Sequence, residues 1–271
     1  MRKFFAVVKA ELYRYFTSSL AYVYLLAFLF LNASFTLYLG HFLERGVAAL
    51  DIMFDFLPWI YLIFISGIAM RLWAEEFKSK SIVEIMTLPV RQEQLVWGKF
   101  IAAWLFCTLG LALSFPFVIS VNVLGNPDNG VIAAGYLACL LLSGSMLAVA
   151  ETMSALTKNQ VIALVLSVIV NLLFFLSGIE YVLGFFRAIF DESLVESVAG
   201  LSFLFHFDNI ALGKPNLWNI LFFVSVIILF NQLTTLIIRQ KNSGLMNTQT
   251  LWGKLCFCFV VASICCGFAG F

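Results

Sequence analysis

The densest group of charged side chains lies between residues 71 and 99. Only 11% of the chain is charged and 62% is hydrophobic, yet this stretch holds charges of both signs. They are Arg71, Glu75, Glu76, Lys78, Lys80, Glu84, Arg91, Glu93 and Lys99. Such side chains can form ion pairs or dock onto a soluble partner, so this stretch is the first candidate for function.

The other residues that could do chemistry give no sign of an enzyme centre. The sequence lacks a phosphate-binding loop, a His-Glu-x-x-His motif and a Gly-x-Ser-x-Gly elbow. His41 and His206 fall in predicted outer loops, which argues against a serine protease within the membrane. The six cysteines lie in apolar runs, where a small apolar thiol is typical, and indicate neither disulfides nor metal. We therefore expect a non-catalytic chain that binds no cofactor or metal, so any ATP and magnesium would be bound by a partner.

Long runs without charge predict an α-helical membrane protein. A mean hydropathy of +1.01 excludes a water-soluble globule with a normal surface. A helix needs about 20 apolar residues to cross the bilayer, and the runs lack the alternation of barrel strands. Six runs fit, and whether a seventh, 255–271, crosses is open. The six predicted spans are 20–40, 56–73, 100–124, 131–156, 159–179 and 216–238.

The positive charges predict that the N-terminus is cytoplasmic. Thirteen of the 16 Lys and Arg fall on one side of the predicted spans, and only Arg45, Arg187 and Lys214 fall on the other. The side richer in Lys and Arg is normally cytoplasmic, which places residues 71–99 there. This asymmetry reflects topology, so it predicts no nucleic-acid partner. We expect the first apolar run to be retained as an anchor, because it is longer than a signal-peptide core.

Two segments are predicted to lie along the membrane surface. Residues 1–16 have an apolar face at helical spacing, although Glu11 falls near Phe4 and makes the pattern imperfect. The alternative is that these residues form an irregular cytoplasmic segment that leads into the first span. The predicted apolar face consists of Phe5, Val8, Leu12 and Tyr15. On the outer side, Gly184 to Phe190 and Ser193 to Leu204 are interpreted as short amphipathic or re-entrant helices.

The centre of the charged stretch predicts a short helix. Ser81 precedes Glu84 by three residues, as in a capping box, and Leu88-Pro89 ends the helix because proline disfavours helical backbone before it. Its apolar stripe is Ile82, Ile85 and Met86. A short amphipathic helix with charges on both sides suits docking into a groove on a soluble partner. A solvated loop is the alternative.

The stretch AEEFKSKSIVEIMTLPVRQEQLVWGKF resembles the segment that joins spans two and three in ABC-2 type permeases, the membrane subunits of ATP-binding cassette exporters. PWIYLIFISGIAMRLWAEE and TKNQVIALVLS also resemble the gliding-motility-associated and NosY-like members. The resemblance covers residues 1–241. The family usually has Gly-Thr where this chain has Lys80-Ser81, so the turn before the helix is expected to differ.

The resemblance implies an all-α integral membrane protein with a six-helix ABC-2 transmembrane domain, similar to type V exporters, at 17–241. It also implies an interfacial helix at 1–16, a coupling region at 73–98 that contacts the ATPase, and re-entrant outer helices between spans five and six. The tail 242–271 does not match the family, and whether its apolar run forms a seventh span stays open. The implied ATPase-coupling residues are Glu75, Glu76, Ser81, Glu84, Ile85, Met86, Thr87, Leu88 and Pro89, followed in the motif by Gly98 and Lys99.

Glu151 is the polar residue that stands out within a predicted span. A carboxylate inside an apolar helix is costly, so we expect it to face a dimer interior or to pair with a cytoplasmic Lys or Arg. Alternatively, it simply reaches the inner interface. The nearby small residues Ser143, Gly144, Ser145 and Ala148 favour close helix packing.

The sequence-based hypothesis is a permease subunit in the bacterial inner membrane, in contact with lipid. Its expected partners are a cytoplasmic ABC ATPase and a second permease copy or homologue. One alternative is a transmitter that does mechanical work on a periplasmic partner through residues 181–215 without moving a substrate. Another is an ATP-independent secondary transporter, against which the scarcity of buried charge and the lack of inverted repeats count.

Overall fold

The computed structural model describes residues 2–41, 49–82, 90–187, 195, 198–214 and 216–242. These residues form helices and turns, and no strand occurs among them. The helices are α1 Arg2–Thr17, α2 Ser19–Ser34 with a π-helical end Phe35–Leu39, α3 Asp51–Ala69, α4 Ala74–Ser79, α5 Gln92–Ala112, α6 Pro116–Leu124, α7 Asn129–Leu156, α8 Gln160–Leu176, α9 Glu180–Arg187, α10 Phe203–Ala211 and α11 Leu217–Asn242.

Within the described ranges, five helical segments are long and apolar enough to cross a membrane. They are Ser19–Leu39, Asp51–Ser79, Gln92–Leu124, Asn129–Leu156 and Leu217–Lys241. The predicted fifth span corresponds to α8, which is also apolar but has only 17 residues. The predicted all-helical, membrane-type architecture is therefore confirmed at this coarse level. The apolar run 255–271 lies outside the described residues.

Helix α7 is the centre of the bundle. It packs against α3, α5, α8, α10 and α11, and every residue from 143 to 155 is buried. The close approach of α7 to α5 and α11 depends on the small residues predicted to favour helix packing. A side chain at Gly144 would meet Ile227 at 2.9 Å and Trp104 at 3.0 Å. Hydroxyl groups join the same helices, as in the 2.9 Å contact between Thr152 and Thr234. The central helix is thus held by close packing and by interhelical hydrogen bonds.

Side-chain caps begin several of the described helices. Asp128 accepts hydrogen bonds from the backbone of Gly130 and Val131, Asn159 caps α8, and Ser202 caps α10. The predicted turn GNPDNG is shorter than expected, because its last two residues already belong to α7. The third span is interrupted at residues 113–115, directly before Pro116 begins α6.

Several sequence-based boundaries and exposures were wrong. Helix α3 begins at Asp51 rather than at 56, so Asp51 and Asp55 belong to a helix and not to an outer loop. Trp73 ends the predicted second span, where a tryptophan is typical of an interfacial anchor, but it is 0% exposed because its polar atoms find partners inside the bundle. On the predicted apolar face of α1, Phe5 is 65% exposed and Val8 is buried, so the position of this helix at the membrane surface stays a prediction. The predicted outer helix Ser193 to Leu204 stays a prediction: residues 195, 198 and 199 are helical, α10 begins at Phe203, and residues 193, 194, 196 and 197 lie outside the described ranges.

Candidate functional site

A buried ion pair connects the two ends of the charged stretch. Lys99 in α5 binds Glu76 in α4, and the two side chains are 1% and 2% exposed. Lys99 also donates to the backbone carbonyl of Leu72, which follows α3, at 3.4 Å. A buried charge is tolerated when it is paired, and here one oxygen of Glu76 accepts from Lys99, while the other has no hydrogen-bond partner among the described residues. The pair therefore joins the two ends of the segment between α4 and α5.

The N-terminal helix joins the same cluster. Glu11 accepts from the Lys99 ammonium at 3.0 Å, and Arg14 lies 3.3 Å from both Glu11 and Glu76. Burial by itself would lower the pKa of Arg14, but the carboxylates of Glu11 and Glu76 raise it by more, so the guanidinium stays charged. Glu11 interrupts the apolar face of α1 because it lies in the packing surface, where Lys99 neutralises it. We call Glu11, Arg14, Glu76 and Lys99 the charge cluster.

Gly98 allows α1 to approach α5 next to this cluster. A side chain at Gly98 would meet Cγ1 of Val7 at 2.7 Å and the backbone nitrogen of Val8 at 3.8 Å. Real side chains essentially never approach so closely, so a residue without a Cβ is needed at this position. The Gly98-Lys99 pair of the motif thus has two roles here, since the first residue makes room for α1 and the second binds it.

A second set of hydrogen bonds attaches α4 to the central helix. Ser154 in α7 accepts from the backbone nitrogens of Trp73 and Ala74, each at 3.2 Å, and its hydroxyl is 3.3 Å from the carbonyl of Met70. The Trp73 indole donates to Glu151 at 2.8 Å. Helix α3 ends just before these residues, and its last backbone groups and the first ones of α4 bond to α7 rather than to water.

Glu151 therefore lies inside the chain rather than on an exposed face. Its side chain is 0% exposed, one carboxylate oxygen accepts from Trp73, and the other has no hydrogen-bond partner among the described residues. Within this part of the chain it forms no ion pair with a Lys or Arg, which differs from the expected pairing. Its contact with Trp73 instead helps to position α4.

Lys241, at the end of α11, also contacts α4. Its ammonium donates to the carbonyl of Ala155 and lies 4.0 Å from the centre of the Phe77 ring. Phe77 is in α4, so this helix is held from one side by α7 and from another by α11. The charged stretch thus starts from a helix with three points of attachment to the bundle.

The turn after α4 has a backbone conformation that fits the resemblance. Lys80 ends the helix with a left-handed φ of +60°, which glycine adopts without strain. The ABC-2 permeases that this stretch resembles usually have glycine at this position, so Lys80 adopts a conformation that glycine adopts readily.

The predicted coupling residues fall into two groups. Glu75, Glu76, Ser81, Gly98 and Lys99 are described, and the segment from Glu84 to Pro89 lies outside the described residues. Glu75 forms a partly exposed ion pair with Arg71 at 2.9 Å rather than joining the charge cluster. The Ser81 hydroxyl is 2.9 Å from that of Ser79, and its predicted cap onto residue 84 is untested.

Sequence reasoning missed Arg14, Trp73 and Ser154 as parts of this site. Glu11 carried a signal, since an acidic residue on an otherwise apolar face indicates a basic partner opposite. His206 was placed in a loop, but it is buried and bonds Asn219 at 2.8 Å and the carbonyl of Gly200 at 3.0 Å. Among the described residues, no group of three His, Cys, Asp or Glu could hold a metal ion.

Comparison with known proteins adds no assignment. Neither a scan against protein-family models nor a search of curated proteins found a match to this chain.

Proposed function

We propose that this chain is the transmembrane permease subunit of an ABC-2 type transporter. It would pair with a second permease copy or homologue and with cytoplasmic ATPase subunits that bind ATP and magnesium. The subunit itself performs no ATP chemistry, and residues 81–89 act as the coupling helix that contacts the ATPase. The proposal includes a cytoplasmic N-terminus and an inner-membrane location.

The observation that carries the proposal is the buried Glu76–Lys99 pair. These residues are 23 positions apart in the chain, and they bracket the segment that resembles the coupling helix. A helix that receives a push from another protein transmits it only if its base is fixed, because a flexible loop would absorb the displacement. The pair fixes that base with an ion pair inside the protein rather than with a solvated surface contact.

The attachment of α4 supplies the next step of the mechanism. Trp73 and Ala74 are bonded to α7 through Ser154, and α7 packs against five other helices. A displacement of α4 would therefore move the central helix rather than a single loop. In the proposed cycle, closure of the ATPases pushes the coupling helix, and the bundle changes its position against the second subunit.

The test is co-purification of the chain with the ABC ATPase encoded beside it. Wild type is compared with Glu84→Arg and Leu88→Asp, two changes in the proposed contact, and with Lys158→Glu as the control. Lys158 is exposed in the turn between α7 and α8 and is not one of the residues proposed to contact the ATPase.

We expect the wild type and Lys158→Glu to retain the ATPase, and Glu84→Arg and Leu88→Asp to lose at least about tenfold in affinity. All four proteins should insert into the membrane equally. The proposal is wrong if the wild type captures no ATPase, or if both contact variants bind like wild type. An ATP-independent membrane protein would then be the better interpretation.

A further inference from the structure

A cavity of about 120 Å³ lies next to the charge cluster, where α1 turns into α2. Its walls come from α1, α2, α5, the end of α3 and the start of α4. A cavity of roughly 150 Å³ accommodates benzene, so this one encloses a group the size of a phosphate, and a longer headgroup extends through its open side. The lining contains Glu11, Arg14, Arg71, Glu75 and Lys99 on its polar side. Its apolar side includes Tyr15, Leu20, Ala21, Tyr24, Ile68 and Phe106.

The charged side of this cavity has N–H donors that no other described residue accepts from. Arg14 engages its described partners through Nη1, and Arg71 engages Glu75 through Nε and Nη2. Each guanidinium carries five N–H donors in total, so both retain groups for another acceptor. A phosphate group accepts from two arginines in this way. Lys99 is less available, since it already binds Glu11, Glu76 and a backbone carbonyl.

The same wall carries carboxylates, which limits the ligands that fit. Glu75 is 35% exposed, and Glu11 is 14% exposed. A purely anionic ligand beside the two arginines would be repelled by these acids. A ligand with an ammonium next to its phosphate would satisfy both signs, and the ammonium needs N–H donors to bond a carboxylate. An ethanolamine phosphate group has this chemistry, whereas choline lacks the N–H and glycerol phosphate lacks the positive charge.

The apolar rim indicates that the ligand is a lipid. Leu20 lines the cavity and is 47% exposed, and Arg14, which also lines it, has a side chain that is 56% exposed. From Leu20, exposed apolar residues continue along one side of α2 through Val23, Leu26 and Phe30. The cavity is too small for acyl chains, but this stripe offers them a surface that begins at its mouth.

We propose that the cavity binds the headgroup of an ethanolamine phospholipid from the bilayer leaflet at the α1 end of the bundle. The phosphate is bound by Arg14 and Arg71, the ammonium by Glu75, and the acyl chains lie along α2. This site does not depend on the transporter assignment, because it needs only a chain in a bilayer. It would tie the position of α1, and hence the charge cluster, to the lipid composition of that leaflet.

The test is native mass spectrometry of the detergent-purified chain with phosphatidylethanolamine, phosphatidylglycerol and phosphatidylcholine of identical acyl chains. We expect phosphatidylethanolamine to bind roughly tenfold more tightly than the other two, because a charge-assisted hydrogen bond is lost in each of them. Soluble phosphoethanolamine is included as a competitor, and it should displace the lipid only at far higher concentration because it lacks acyl chains.

Three variants locate the site. Arg71→Gln should weaken phosphatidylethanolamine binding about tenfold, and Glu75→Gln should remove the preference over phosphatidylglycerol. Arg239→Gln is the matched control, since Arg239 is exposed in the last turn of α11 and does not line the cavity. Because Arg71 and Glu75 form a partly exposed pair, each variant should keep the wild-type melting temperature, which is measured in parallel.

Equal binding of all three lipids, or an Arg71→Gln protein that binds like Arg239→Gln, would overturn the proposal. Displacement by soluble phosphoethanolamine at the same concentration as the lipid would also overturn it, because the ligand would then be a small phosphate compound and not a lipid.

Discussion

Lys99 connects more of the molecule than any other charged side chain described above. Its ammonium binds Glu76 in α4, Glu11 in α1 and the carbonyl of Leu72 in the turn that follows α3. It also lies 5.1 Å from the centre of the Trp73 ring. Because the group is 1% exposed, water cannot replace these partners when one of them is removed.

Replacing Lys99 with methionine should therefore destabilise the protein strongly. The change keeps the length of the side chain but leaves the Glu76 carboxylate buried without its cation. Breaking a buried pair from one side typically costs about 3 to 5 kcal/mol. The free energy of unfolding in mixed micelles measures the effect. The exposed Glu93→Gln is the control and should change stability by less than about 0.5 kcal/mol.

The double variant Glu76→Gln with Lys99→Met separates pairing from packing. It removes both charges, so it should be less destabilised than the sum of the two single variants. Additive losses would show that the two side chains do not interact in the folded protein.

Glu151 and Trp73 make a second prediction at the level of single residues. Glu151→Gln keeps an acceptor for the indole N–H and should leave stability near wild type. Glu151→Leu leaves that buried donor unpaired and should cost about 1 to 3 kcal/mol. Thermal unfolding of the purified variants distinguishes the two. If the leucine variant melted like wild type, the 2.8 Å hydrogen bond would not position α4 as described.

The turn at Lys80 should accept glycine with a gain in stability. A non-glycine residue in the left-handed region costs roughly 1 to 2 kcal/mol. Glycine avoids this cost, but it loses more conformational entropy on folding, which offsets part of the gain. Lys80→Gly should therefore stabilise by on the order of 0.5 to 1 kcal/mol. Lys78→Gly is the control within α4 and should destabilise. A loss of stability in both variants would contradict the left-handed assignment.

At the scale of elements, the contact between α1 and α5 depends on the absence of a side chain at Gly98. Gly98→Ala should push α1 away from α5, because the new methyl group would meet Val7 at 2.7 Å. Hydrogen exchange of α1 backbone amides should become faster, while α7 is unaffected. Gly110→Ala is the control, since its nearest contact is a flexible leucine side chain at 3.3 Å. Unchanged exchange in α1 would mean that another contact holds this helix.

The helices themselves were largely predictable, whereas their contacts were not. Runs without charge correctly indicated the long helices, because length and apolar composition are local properties. The partners of Trp73 are 78 and 81 positions away in the chain, and no pattern in the neighbouring sequence indicates them. An aromatic residue at the end of an apolar run therefore suggested the interface. The break of α3 before α4 also depends on these distant groups.

Glu11 shows where a local pattern was informative but incomplete. Glu11 lies on the otherwise apolar face of α1, where a simple amphipathic helix would have no charge. The reason is that Glu11 forms an ion pair with the buried Lys99. The sequence could not name Lys99 as the partner, which lies 88 positions further along. The motif around residues 75–99 indicated which residues belong together, and the geometry adds that its two described ends meet at Glu76 and Lys99.

At the scale of the whole molecule, α1, α4, α5 and α7 form one connected unit. The charge cluster joins the first three of these helices, and Ser154 and Glu151 join α4 to the fourth. In the proposed transporter, this unit carries movement from the ATPase into the membrane. Binding of the ATPase and transmission of movement are then separable, because the contact lies at 81–89 and the attachment lies at its base.

The most direct measurement is ATP hydrolysis by the reconstituted complex, with wild type compared with the double variant Glu76→Gln and Lys99→Gln. The wild-type subunit should change the hydrolysis rate relative to the isolated ATPase. The double variant should still bind the ATPase, because residues 84–89 are intact, but it should lose most of that change. A double variant that binds and alters hydrolysis like wild type would contradict the account, since coupling would then not pass through the buried pair.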